Sequence, residues 1–110
     1  MNAERGQQER FLRTFGSVVA GVCAERRVPP EVARECLAQA AAYSGFGRFA
    51  FANNFWMLPG TGDRGFYTVT RVYRSPESGF NGGVRVEVLR LARFSTPAAG
   101  VVAWLSRGPA

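Results

Sequence analysis

The sequence predicts an α+β fold: two N-terminal helices, an aromatic loop, a β-hairpin and a closing helix in one small domain. Three observations carry this. Apolar residues recur at helical spacing from Phe11 to about Tyr43, then two stretches switch to strand-like alternation, and a Ser-Thr-Pro stop precedes a last apolar segment. At 110 residues the chain suffices for one modest core.

The elements follow in order. Residues 1–9 are polar and are expected to form a flexible N-terminus, so the domain is placed at 10–107. From Arg10 to about Glu25, Phe11, Phe15, Val18, Val19, Val22 and Cys23 fall on one helical face. Arg27-Val28-Pro29-Pro30-Glu31 breaks and restarts the chain. Pro30 suits a first helical turn, and Glu31 there complements the helix dipole. The second helix runs to about Tyr43 with Val32, Ala33, Cys36, Leu37 and Ala40 inward, and Gly45 and Gly47 end it. Residues 48–64 read as a turn-rich aromatic loop. Gly65 to Tyr73 and Val84 to Phe94 read as two strands joined by a wide turn over 74–83, with Val84, Val86, Val88, Arg90 and Ala92 sharing a face. Ser95-Thr96-Pro97 caps a helix over about Ala98 to Ser106, with Val101, Val102, Trp104 and Leu105 inward.

Composition narrows the chemistry. There is no histidine, and Cys23 and Cys36 are the only cysteines, so Ser-His and Cys-His catalysis and the usual zinc-ligand spacings are excluded. No cofactor or metal is expected. Both cysteines fall on apolar helix faces and are read as buried free thiols, with an interhelical disulfide as the alternative. No apolar run approaches the roughly 20 residues that span a bilayer. Phe15 to Ala24 faintly imitates a signal peptide but ends in Glu25-Arg26-Arg27, and it is read as helix, leaving the compartment open. The net charge of +6 comes entirely from arginine, which favours planar contacts with carboxylate and phosphate. An arginine-for-lysine coding bias accounts for it equally well.

The stretch Ala38-Gln39-Ala40-Ala41-Ala42-Tyr43-Ser44-Gly45-Phe46-Gly47 carries a family resemblance. It is similar to the Ala-Gln-Ala-Ala-Leu-Glu-Ser-Gly-Trp-Gly segment of the lysozyme-like bacterial cell-wall glucosaminidases, the family that includes flagellar peptidoglycan hydrolases. Asn53-Asn54-Phe55-Trp56-Met57-Leu58-Pro59-Gly60 resembles that family's Asn-Asn-Leu-Phe-Gly-Ile-Lys-Gly loop in register, and Phe11 through Pro30 resembles its first helix and Val-Pro-Pro entry. Ala92-Arg93-Phe94-Ser95-Thr96-Pro97 is similar to its Phe-Arg-x-Tyr-x-Ser stretch. The resemblance spans roughly residues 10–107.

The departures decide the functional reading. Such glycosidases need a carboxylic acid to protonate the leaving oxygen, usually with a second carboxylate or substrate group opposite. The resemblance puts Tyr43 at the glutamate position, and a phenol is a far weaker acid. The second acid is expected in the β lobe after a Thr-Thr run, where this chain reads Thr68-Val69-Thr70-Arg71-Val72-Tyr73. Glu35 sits eight residues before Tyr43, about 12 Å away along a helix, and cannot replace it. Asp63 and Glu77 remain as candidate relocated acids, although Asp63 beside Gly62 also reads as a turn residue. Tyr43, Phe46, Asn53, Asn54, Phe55, Trp56 and Tyr67 are the candidate glycan contacts, by ring stacking and by amide hydrogen bonds. Core anchoring is the competing role for Phe55, Trp56, Met57 and Leu58, and turn capping for Asn53 and Asn54.

Three functions follow, in order of preference. The first is an inactive glucosaminidase-like domain serving protein assembly, as in an envelope or phage-tail-like structure, or weak binding of cell-wall glycan. The second is an active peptidoglycan hydrolase with relocated acids. The third is a small nucleic-acid-binding module, ranked last because the arginines are scattered.

Overall fold

The computed structural model describes residues 3–74 and 83–107. Helix α1 (Ala3–Glu25) and helix α2 (Pro30–Ser44) precede strands β1 (Phe66–Arg74) and β2 (Val84–Ala92), and helix α3 (Pro97–Ser106) closes the order. This is the expected α+β arrangement.

Helix α1 starts at Ala3, earlier than the expected Arg10. Its polar first turns have a tertiary anchor, for the Gln7 amide donates to the Phe46 carbonyl beyond the end of α2. Phe11, Phe15, Val19, Val22 and Cys23 form the buried stripe of α1. Against it pack Cys36, Ala40 and Ala41 of α2, Trp56 of the loop, and Val101 and Trp104 of α3. Phe15 lies 4.3 Å from the Phe55 ring and 5.7 Å from Trp56, so the aromatic loop is stitched to α1 through ring contacts. Val32, expected inward, is 36% exposed, because α2 turns its Cys36–Ala40 line to the core instead.

The caps form where the sequence puts them. Pro30 opens α2, and Gly45 ends it in the left-handed conformation at φ 59°, with the Phe46 N–H on the Ala41 carbonyl at 2.9 Å. The Thr96 hydroxyl accepts from the Ala99 N–H at 3.0 Å and caps α3, with Pro97 in its first turn.

The strands pair antiparallel from Phe66 opposite Ala92 to Arg74 opposite Val84. Residues 75–82 of the expected turn, including Glu77, lie outside the described residues. One face of the ribbon carries Tyr67, Val69 and Arg71 beside Glu87, Leu89 and Leu91; the other carries Val72, Val84, Val86 and Val88. The valine set does share a face, but it points to solvent, at 58–64% exposure for Val72, Val84, Val86 and Val88. The leucines make the contact with the body, and Leu91 is buried. Strand β2 ends at Ala92 rather than Phe94, since Phe94 leaves the ladder to bury its ring and donate its N–H to the Ala52 carbonyl at 2.9 Å.

Cys23 and Cys36 are buried and free, in line with the thiol reading. Burial pushes the Cys36 thiol up to about 12 and raises Cys23 as well. Among the described residues, no helix is long and apolar enough to cross a membrane.

Candidate functional site

A groove of about 760 Å³ runs between the end of α2, the aromatic loop, the leucine face of the hairpin and the outer side of α3. Tyr43 and Gln39 enter from α2, one turn apart and therefore on the same helix face. The loop supplies Trp56 through Pro59 and Thr61, the hairpin supplies Arg71, Leu89 and Leu91, and α3 supplies Trp104 and Arg107.

The floor is fixed by hydrogen bonds. Trp56 is 4% exposed and donates its Nε1–H to the Cys36 carbonyl at 3.0 Å. Trp104 donates its Nε1–H to Gln39 Oε1 at 3.1 Å, and the Gln39 amide in turn donates to Glu35 at 2.8 Å. These bonds set the orientation of the Gln39 side chain. Asn54 is buried and holds the loop to β2. Its Oδ1 accepts from the Leu58 N–H at 2.9 Å, and its amide donates to the carbonyls of Leu58 and Ala92, each at 3.0 Å.

The candidates separate accordingly. Tyr43 is 58% exposed and lines the groove, and Trp56 lines its floor. The other expected glycan contacts lie elsewhere. Phe46 and Phe55 pack on the Phe11 ring at 6.1 and 5.9 Å. Asn54 spends its amide on backbone groups. Asn53, at φ 59°, donates to the Phe94 carbonyl at 2.9 Å and faces a separate hollow. Tyr67 packs edge-on against Phe51 at 4.7 Å. Of the loop aromatics, Phe55 and Trp56 anchor the loop to α1 through the Phe15 ring, while Phe49 and Phe51 are exposed.

The relocated-acid candidates fare differently. Asp63 lies outside the groove lining and clamps Ser95, accepting its N–H at 3.1 Å and its hydroxyl at 2.5 Å. The Ser95 hydroxyl bond is the largest cause of a lowered Asp63 pKa. A general acid calls for the opposite shift, and the role the geometry shows for Asp63 is the Ser95 clamp. Glu77 lies outside the described residues.

Glu87, not singled out from the sequence, pairs across the hairpin with Arg71. It sits at 3.5 Å from the Tyr73 hydroxyl, which receives a bond from Arg71 at 3.3 Å. Its placement depends on strand register, which the turn length left open. Among the described residues, no carboxylate lines the groove. The charged groups that line it are Arg71 and Arg107, the latter stacked 4.4 Å from the Trp104 ring centre. Trp104, expected only as an inward core residue, also lines the groove, and Arg107, not singled out from the sequence, lies one turn on from it on the same face.

This groove offers aromatic surface, apolar walls, two guanidinium groups and the Gln39 and Thr61 side chains. That set can stack and hydrogen-bond a ligand.

No protein-family model matches the sequence, and no curated protein matches it. The fold is similar to the catalytic domain of the autolysin Auto from Listeria monocytogenes, with a TM-score of 0.69 at 19% identity. The alignment covers 100% of this chain and 60% of that one, so the chain spans about three-fifths of the autolysin domain's length. At this identity the likeness establishes a shared fold.

Proposed function

We propose that this domain is a pseudo-hydrolase that uses the groove of a glucosaminidase-like fold to hold cell-wall glycan without cleaving it. One observation carries the reading. The groove is open, Tyr43 stands exposed in it where the resemblance puts the acid, and no carboxylate among the described residues lines it. Glycoside hydrolysis without a positioned acid loses the proton that the departing oxygen requires. Ring stacking and hydrogen bonding survive that loss. The test is co-sedimentation with purified insoluble peptidoglycan, run beside a turbidity assay on the same walls. Binding without clearing is expected, with Tyr43→Ala weakening the binding. Clearing that Glu77→Ala, Asp63→Ala or Glu87→Ala abolishes would replace this reading with an active hydrolase.

The assembly role has its own support in the solvent-facing valines of the hairpin, since contiguous apolar surface is where proteins meet. Sedimentation velocity of the chain and of Val86→Arg checks the self-assembling version. Identical monomeric profiles at all concentrations would remove it.

A further inference from the structure

The charge of the groove is the reverse of what glycoside hydrolysis calls for. Cleavage builds positive charge on the sugar, which acidic groups stabilise. Here the charged side chains lining the groove are Arg71 and Arg107, with no acid beside them in the lining among the described residues. The Arg71 guanidinium donates to the Tyr73 phenol oxygen at 3.3 Å, approaches the Met57 thioether at 4.0 Å and feels the charge of Glu87, its cross-strand neighbour. Arg107 rests on the Trp104 ring. Among the described residues, the ion pair within 4.0 Å is Arg5 with Glu9 on α1, so neither groove arginine is in direct contact with a carboxylate. The nearby carboxylates each have another engagement, Glu35 with the Gln39 amide and Glu87 with the Tyr73 hydroxyl.

We infer that Arg71 and Arg107 select glycans bearing carboxylate groups over neutral ones. Guanidinium is planar and pairs with carboxylate through two parallel N–H donors, a fit that an ammonium lacks. The aromatic and apolar lining is suited to the sugar rings, from Tyr43 and Trp104 on one side to Met57, Leu58, Leu89 and Leu91 on the other. The same forks also bind phosphate, so the ligand source is separated by experiment. The inference rests on the glycan-holding reading of the groove.

The experiment is isothermal titration of the intact chain with three tetrasaccharides. One alternates N-acetylglucosamine with N-acetylmuramic acid, whose lactyl groups carry carboxylates; the second is the same compound with those groups amidated; the third is chitotetraose. Charge-assisted contacts of this kind are worth about tenfold or more in affinity. The acidic tetrasaccharide is therefore expected to bind at least about tenfold tighter than the amidated one, with a preference that shrinks as salt rises. Arg71→Gln and Arg107→Gln should each reduce that preference, weakening the acidic tetrasaccharide by a larger factor than chitotetraose. Arg71→Lys, which keeps the charge without the fork, should restore it only in part. Equal binding of the acidic and amidated compounds overturns the inference and leaves the groove reading intact. Binding of none of the three overturns both. Tighter binding of a glycerol-phosphate oligomer than of the acidic tetrasaccharide overturns the carboxylate assignment.

Discussion

Asn54→Ala is the substitution that best separates an architectural asparagine from a ligand-binding one. In the native chain the Asn54 amide is 3% exposed and takes part in three bonds to backbone groups of Leu58 and Ala92. On truncation, the Leu58 carbonyl keeps the Ala92 N–H at 2.9 Å. The Leu58 N–H loses Asn54 Oδ1, and the Ala92 carbonyl loses an incoming donor. An unpaired buried donor costs about 1–3 kcal/mol, and each lost bond about 1 kcal/mol. The expected destabilisation is therefore about 2–4 kcal/mol. At about 4–8 °C per kcal/mol for a domain of this size, the midpoint falls by roughly 8–32 °C. Asn54→Asp should do no better, since a carboxylate would face two carbonyl oxygens. Chemical denaturation followed by tryptophan fluorescence measures this directly, with Asn53→Gly as a mild comparison because Asn53 already occupies the left-handed region. A loss below 1 kcal/mol for Asn54→Ala, accompanied by weakened glycan binding, would refute the reasoning and return Asn54 to the ligand side.

Further outcomes follow from the groove and the core. Tyr43→Glu is expected to leave cell walls uncleared, because Arg71 and Arg107 in the same groove favour an ionised carboxylate over a proton donor; clearing by this single change in a turbidity assay would show that only the acid was missing. Asp63→Ala should lower the melting temperature at neutral pH. The native Asp63 pKa is depressed, so its contribution is present above the ordinary carboxylate range and disappears as pH falls through the native value. The melting difference should close in acid, and a gap constant with pH would contradict the Ser95 clamp. Both thiols should resist a disulfide reagent at pH 8 in the native protein and react on unfolding, as burial raises the pKa of each and pushes Cys36 up to about 12. Rapid native labelling of Cys36 would contradict its burial.

Much of this architecture was legible because its punctuation is chemical. Pro30, Gly45 and Thr96-Pro97 each perform a job that few residues do: α2 starts on the first and stops on the second, and α3 starts on the third. The start of α1 was hidden because Glu4 to Glu9 show no apolar period; its anchor, Gln7 on Phe46, is a contact across 39 positions. The inner face of the hairpin was undecidable by alternation alone, since valines at one parity compete with leucines at the other. The aromatic loop resisted for a different reason. Ala52, Asn53 and Met57 all have positive φ, and such a backbone carries no period that would tell Trp56, at 4% exposed, from Phe49, at 75%. Tyr43, singled out in the sequence by its neighbours, lines the groove, while Arg107 needed the docking of α3 before it meant anything.

The two indole bonds from the groove to α2 have a consequence for how any ligand is met. Trp56 reaches the Cys36 carbonyl and Trp104 reaches the Gln39 side chain, so two walls of the groove are tied to the helix that also builds the core. Displacing either indole would mean breaking its bond to α2, and a packed core resists that more strongly than it resists moving a loop. The indole side of the groove is thus shaped before a ligand arrives, and little ordering of that side is left to subtract from the binding energy. A groove of this kind acts as a mould: affinity is set by how well the ligand already fits.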